Sequence, residues 1–166
     1  MTLISSTDQV VERVRLHEQA AGGRTPATPL AEQITGRAIE LIVAHVTAID
    51  PDQRTVHLDD GRQIGYDTLA YARGSHTDMR SPGVARYTYT AERAAELARR
   101  LSAGTGTIAV VGGGLTGIET AAELAESATG WQVALVTGGV VAPGLGSRGR
   151  RHVQRALARL GVRVYG

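Results

Sequence analysis

This sequence predicts an α/β fold: an incomplete doubly wound, Rossmann-like parallel sheet, preceded by a smaller block rich in β-hairpins. Three observations point there. The apolar run Ile108-Ala109-Val110-Val111 passes through the glycine triplet Gly112-Gly113-Gly114 into an alanine-rich helical stretch that reaches Ala128. Two more strand-like runs, Trp131–Val136 and residues 162–165, flank a second helical pattern at residues 149–160. The result is βαβαβ, whose right-handed crossovers make the strands parallel. Upstream, Asp50-Pro51-Asp52 and Asp59-Asp60-Gly61 sit between short β-branched runs, the pattern of hairpins.

In chain order, residues 2–5 are a short apolar piece. Residues 8–21 carry Val10, Val11, Val14 and Leu16 and predict a weak helix that ends at Gly22-Gly23. A loop with Pro26 and Pro29 follows. The β-branched residues 38–49 then pair, across the first Asp-rich turn, with the alternating Arg54-Thr55-Val56-His57-Leu58. Asp-Gly tolerates the positive φ of a tight turn, so the second turn returns the chain through residues 62–64. Residues 66–75 predict a turn and a strand that stops at a glycine, Gly74. Ser81-Pro82-Gly83 is the strongest loop signal and divides the chain into blocks at residues 1–80 and 84–166. Residues 91–101 predict an amphipathic helix with Ala94, Leu97, Ala98 and Leu101 on its apolar side. Thr90 stands where it would cap that helix, with Arg93 where a capping box needs an acid.

Composition narrows the chemistry. An apolar fraction of 42% in 166 residues is enough for a core, and the net charge is only +2, with eighteen arginines and no lysine. The densest basic cluster, Arg148, Arg150, Arg151, Arg155 and Arg159, falls at helical spacing and reads as a solvated helix face, so nucleic acid is not an expected partner. Absence of cysteine removes disulfide scaffolds, thiolate metal sites and cysteine nucleophiles, and absence of lysine removes Schiff-base chemistry. His17, His45, His57, His76 and His152 show no ligand-like pairing, so no metal is expected. No run approaches the ~18 apolar residues of a membrane span, and no leader pattern is visible; a cytoplasmic location is the expectation.

The glycine run carries the functional reading, that of a dinucleotide pocket. Gly112 permits the tight turn out of the strand, Gly114 lets the backbone approach a pyrophosphate, and Gly117 lets the helix lie close to the strand. Leu115 and Thr116 open that helix, where unpaired amides and the positive end of the helix dipole face phosphates. A glycine turn that binds nothing is the competing reading. The strand before the motif and the helix after it are the context that the motif requires.

Longer blocks carry a family resemblance. They are Glu12-Arg13-Val14-Arg15-Leu16-His17; Val46 to Asp50 leading to Asp60-Gly61 and Tyr66-Asp67-Thr68-Leu69; Ala72-Arg73-Gly74-Ser75; Pro82-Gly83-Val84; and the glycine motif continuing into Glu119 and Glu123-Leu124. In their order and spacing they resemble the two-dinucleotide flavoprotein oxidoreductases, within them the group without redox cysteines that includes type II NADH dehydrogenases and the ferroptosis-suppressor type of quinone reductase. The resemblance implies that the first block is a remnant of a flavin-binding domain and the second a nicotinamide-binding Rossmann half. It also implies hydride passage from NAD(P)H to FAD and onward to a quinone or similar acceptor. Glu119 matches the family's glutamate near the nicotinamide, although an acid there also suits the helix dipole.

Departures from the pattern qualify that reading. The expectation is a chain truncated at both ends: it begins at what resembles the second strand of the flavin domain, without the flavin pyrophosphate loop, and stops after the third strand of the nicotinamide domain. Ser5-Ser6 occupy the place of a ribose-binding acid, and Arg73 that of a threonine. About twenty residues beyond the last glycine, Thr137 replaces the acid that holds the adenosine ribose. A 2′-phosphate is then no longer repelled, and Arg148 or Arg150 is placed to approach it; loss of nucleotide binding is equally compatible.

Three functions remain open on the sequence. One is a truncated or split flavin-dependent NAD(P)H oxidoreductase, with a nicotinamide dinucleotide held by Gly112, Gly114, Leu115, Thr116, Gly117, Glu119, Thr137 and Arg148, and FAD bound only where a partner chain completes its site. Another is a cofactor-free relative that binds or cyclises a small apolar ligand in the vacated cleft. The third is a structural homo-oligomer in which exposed sheet edges pair between copies, so a second chain or self-association, at least a dimer, is expected.

Overall fold

The computed structural model describes all residues except 11, 13–14, 24–26, 73, 75–76 and 81. The chain forms two compact units. One comprises residues 1–12 and 26–75, the other residues 13–25 and 76–166.

In the first unit β1 (Thr2–Ser5) lies parallel to β4 (Glu40–Val43), from Thr2 opposite Glu40 to Ser5 opposite Val43. The two-residue strands β2 (Gln9–Val10) and β3 (Thr28–Pro29) pair antiparallel, and the short helix α2 (Leu30–Ile34) follows. A three-stranded antiparallel meander holds the rest: β5 (Val46–Asp50), β6 (Thr55–Leu58) and β7 (Gln63–Gly65). Both hairpin turns form where expected. Asp50 Oδ1 accepts the amides of Asp52 and Gln53 at 3.0 and 2.8 Å, the side-chain mimic of a turn, and Gly61 takes φ 85° in the second. Ile42, Ala44, Val56 and Leu58 form a small core, to which Ile4, Ile49, Ile64 and Tyr66 add.

The structure corrects the sequence reading at several places here. Residues 38–49 are not one strand. They are interrupted at Ala44-His45, with β4 in one sheet and β5 in another: the Ala44 amide still donates to the Ser5 carbonyl of β1, whereas His45 bonds to Asp59. The strand expected within residues 66–75 is absent among the described residues. After Tyr66 donates to the Arg54 carbonyl at 3.0 Å, no neighbouring strand offers ladder partners, and Leu69 and Tyr71 are exposed. Residues 8–21 do not form a single helix either. Gln9 and Val10 are extended, and among the described residues only α1 (Leu16–Ala20) is an α-helix, because hydroxyls of Ser5 and Thr7 capture the amides of Thr7 and Gln9 in local turns. Val11, Arg13, Val14, Pro26, Arg73, Ser75, His76 and Ser81, all invoked by the sequence reading, lie outside the described residues.

The second unit is the doubly wound half. Short helix α3 (Val84–Tyr87) precedes α4 (Ala94–Ser102), and then come β8 (Gly106–Val111), α5 (Leu115–Ser127), β9 (Trp131–Val136), α6 (Ser147–Arg159) and β10 (Arg163–Tyr165). The strands are parallel in the order β10-β9-β8, in register from Gly106 opposite Trp131 to Val111 opposite Val136 and Tyr165 opposite Val136. Ala121 and Leu124 of α5 meet Val133 and Leu135 of β9, Leu157 of α6, and Leu97 and Leu101 of α4 in one core, which Leu16 and Ala20 of α1 complete. The periods explain the pattern: α4 buries Ala94, Leu97 and Leu101, and β9, covered on both faces, buries Val133, Ala134 and Leu135 in succession. Among the described residues no helix is long and apolar enough to cross a membrane.

Thr90 does not cap α4. Its side chain makes no capping bond, and a single 3-10 turn at Ala91–Arg93 leads in instead. Arg93 supplies the order: it forks onto Glu96 through two hydrogen bonds of 2.7 Å, donates to the Thr88 carbonyl at 2.9 Å, and lies over the Tyr89 ring. The hydrogen bond from Arg93 holds the Glu96 carboxyl below its ordinary range, so the pair stabilises the fold above the unfolded-state value and loses that contribution as pH falls through the lowered folded one. Two expectations follow from the packing. Leu135→Ala, at a fully buried position, is expected to lower unfolding free energy in denaturant titrations by ~2–5 kcal/mol. In an NMR titration, Arg93→Ala is expected to return Glu96 to the ordinary carboxylate range.

Candidate functional site

The carboxyl edge of the parallel sheet assembles the site, because β8 and β9 end in register and their next residues, Gly112 and Thr137, stand side by side. Gly112 has φ 129°, a conformation that L side chains rarely adopt, and its amide donates to the Val136 carbonyl at 2.8 Å. The turn is therefore tied to the neighbouring strand. A Cβ at Gly117 would collide with the Gly112 carbonyl oxygen and lie 2.9 Å from its carbon, so α5 approaches the end of β8 as closely as backbone allows. At Gly114 the outcome is opposite. A Cβ there meets nothing within 4 Å, and the residue, with φ −80° and ψ −179°, is the cap that opens α5.

The amides complete the geometry. Ile118 is the first helical donor, to the Gly114 carbonyl at 3.1 Å, and among the described residues none of the amides of Gly114, Leu115, Thr116 and Gly117 has a protein acceptor. Four donors thus converge at the positive end of a helix of 13 residues. Leu115 and Thr116 are exposed, as is Glu119 one turn further on, and the Thr116 carbonyl accepts the Thr120 hydroxyl at 2.7 Å. An anion with several acceptor oxygens suits this edge.

Gly113 and Ala142 are features that the motif pattern missed. A Cβ at Gly113 would come within 2.8 Å of Thr137 Cβ and also meet its hydroxyl, so the middle glycine of the triplet is what seats Thr137 against the turn. The Gly113 carbonyl accepts the Ala142 amide at 2.8 Å, and Ala142 is buried with φ 54°, a conformation costing roughly 1–2 kcal/mol for a residue with a Cβ. This bond folds residues 138–146 back onto the glycine turn. Only the run of three glycines hinted at it in the sequence; the partner at Ala142 left no local signal.

Residues 1–165 match the family profile described as pyridine nucleotide-disulphide oxidoreductase. The chain belongs to that family. Within these 166 residues the disulphide of the family's name has no counterpart, since there is no cysteine. An NADH dehydrogenase-like protein of Mycobacterium tuberculosis is 38% identical over 108 residues, 58% of this chain and 27% of the relative. Another, of Bacillus subtilis, is 30% identical over 126 residues, 72% of this chain and 36% of the relative. The chain therefore spans between a quarter and just over a third of these curated relatives. Among solved structures, the sulfide:quinone oxidoreductase of Aquifex aeolicus matches with TM-score 0.80 at 24% identity, over 98% of this chain and 44% of that one. A ferredoxin reductase of Rhodopseudomonas palustris matches with TM-score 0.81 at 20% identity, over 99% and 43%. At these identities the likeness is one of fold.

Within this oxidoreductase scaffold the sequence-predicted positions divide into two groups. Gly112, Gly114, Leu115, Thr116 and Gly117 form one continuous turn, with Glu119 following on α5 and Thr137 beside Gly113. Arg148 is on a different element, exposed on the first turn of α6 with no ion pair among the described residues, while Arg150 is half-buried. Arg151, Arg155 and Arg159 are exposed along α6. The two motif glycines on either side of Leu115-Thr116 make distinct demands that mutation separates. Gly117→Ala is expected to cost ~1–3 kcal/mol in thermal or denaturant unfolding through overpacking, whereas Gly114→Ala is expected to leave stability within ~1 kcal/mol of the parent.

Proposed function

We propose that the turn from Gly112 to Gly117 seats the pyrophosphate of a nicotinamide dinucleotide, and that this chain is the nucleotide-binding part of a flavin-dependent NAD(P)H oxidoreductase that passes hydride to FAD and then to a quinone-type acceptor. The observation that carries the reading is the set of four unbonded amides at the start of α5, beneath open space at Gly114. Family membership and the NADH dehydrogenase-like relatives support it. A structural neighbour, the water-forming NADH oxidase of Lactobacillus brevis, is described bound to NADH. Its engineered NADPH oxidase form, bound to NADPH, carries five substitutions that include an aspartate replaced by alanine and two residues replaced by arginine.

Hydride chemistry is supplied by the dinucleotide and the flavin, so the work left to the chain is binding and orientation. The amides of Gly114, Leu115, Thr116 and Gly117 neutralise diphosphate charge without a cationic side chain, and Gly114 keeps the approach clear. Thr137 borders the adenosine ribose at the end of β9, and Glu119, one turn into α5, is placed toward the nicotinamide. None of these groups needs to be an acid, base or nucleophile.

The nucleotide's own fluorescence is a better reporter than Trp131, which opens β9 and lies ~20 Å along the strand from Thr137, with its ring against Arg100. In titrations with NADH and NADPH the expected result is saturable binding between about 1 μM and 1 mM, weakened at least ~10-fold by Gly114→Ala without loss of fold. Absence of binding by both nucleotides refutes the proposal.

A further inference from the structure

We infer that the adenosine end of this site selects NADPH over NADH, with Thr137 and Arg148 as the residues that set the preference. The inference rests on the reading that the glycine turn holds a dinucleotide, and it concerns the group carried at the ribose 2′ position.

Position and charge both favour a phosphate there. A carboxylate at the end of the second strand of such a unit would accept hydrogen bonds from the ribose 2′-hydroxyl and repel a 2′-phosphate. In this chain the place belongs to Thr137, whose amide donates to the Tyr165 carbonyl at 2.8 Å and whose side chain packs on Gly113, so a neutral hydroxyl is fixed at that point. The next two residues, Gly138 and Gly139, have nothing within 4 Å of a would-be Cβ, which leaves room beside the hydroxyl.

The wider distribution of charge has the same sign. All sixteen acids of the chain lie in residues 1–126, with twelve arginines, for a net charge of −4; residues 127–166 hold six arginines and no acid, for +6. The second half of the nucleotide-binding unit is therefore uniformly cationic, although the whole chain is nearly neutral.

Arg148 is the arginine that the fold brings to this edge. The bond from the Ala142 amide to the Gly113 carbonyl, followed by the turn from Leu145 to Ala142 at 3.0 Å, folds the loop after Thr137 back onto the glycine turn and starts α6 from the same side of the sheet. Arg148, in the first turn, is exposed and has no ion pair among the described residues, so its five donors are available for the forked contact that guanidinium makes with phosphate. Arg151, one turn on and also exposed, adds to the field. The first acid on the motif helix, Glu119, is on α5, two residues after Gly117.

The test is calorimetric or fluorescence titration of the full chain with NADPH and with NADH at low and high salt, alongside Thr137→Asp and Arg148→Glu, each checked for native circular dichroism. The parent is expected to bind NADPH at least ~10-fold more tightly than NADH, with the advantage shrinking as salt screens the charges. Arg148→Glu is expected to weaken NADPH several-fold while leaving NADH within ~2-fold, and Thr137→Asp to reverse the preference. Equal or tighter binding of NADH by the parent overturns the inference and leaves the dinucleotide site standing. Failure of both nucleotides to bind overturns the site itself, and the inference with it.

Discussion

Where α5 passes the end of β8, the backbone of Gly117 lies so near the Gly112 carbonyl that no side chain fits between them. That approach sets the direction of α5, and the direction decides which groups face solvent at the carboxyl edge. Drawn close, the helix leaves its first amides pointing past the strand end instead of into a loop. The positive φ of Gly112 and its bond to Val136 keep the turn tight enough for this to happen. An unpaired amide exposed to water costs little, so the tight turn carries no penalty for leaving these donors without a protein acceptor.

The same edge shows how a site is extended through packing. Gly113 contributes no motif letter, yet the absence of a side chain there lets Thr137 press against the turn, and its carbonyl draws Ala142 and the following loop inward. The strained Ala142 is held by burial and by that bond. Loop closure then fixes where α6 starts, so a backbone contact at the glycine turn governs which residues open that helix. Electrostatics follow from topology here, since the cationic residues 127–166 form the second crossover of the unit.

Within the first unit, strand readings held where partners were assured by the sequence nearby and failed where partners had to come from elsewhere. The meander β5-β6-β7 was legible because Asp50 and Gly61 write the turns and alternation writes the buried face. The Tyr66-to-Ser75 stretch, with Thr68 its one β-branched residue and Tyr66 and Tyr71 its aromatics, met no ladder among its described residues, and Ala44-His45 interrupted an apolar run because β1 and β6 claimed its two sides separately. At Gln9-Val10, hydroxyl turns overrode a weak helical period.

By itself the sequence determined the α/β class, the β8-α5-β9-α6-β10 order and the glycine turn, because hydrophobic period, glycine placement and turn chemistry act over a few neighbouring residues. Only the tertiary structure decided that Gly113 seats Thr137, that Ala142 closes the loop, that Leu16 and Ala20 of α1 enter the core with α4 and α5, and that Gly114 opens onto space while Gly117 meets backbone. Each of these depends on atoms brought together from distant parts of the chain, and a glycine reads the same in sequence whether its missing side chain leaves room for a ligand or for the protein's own backbone.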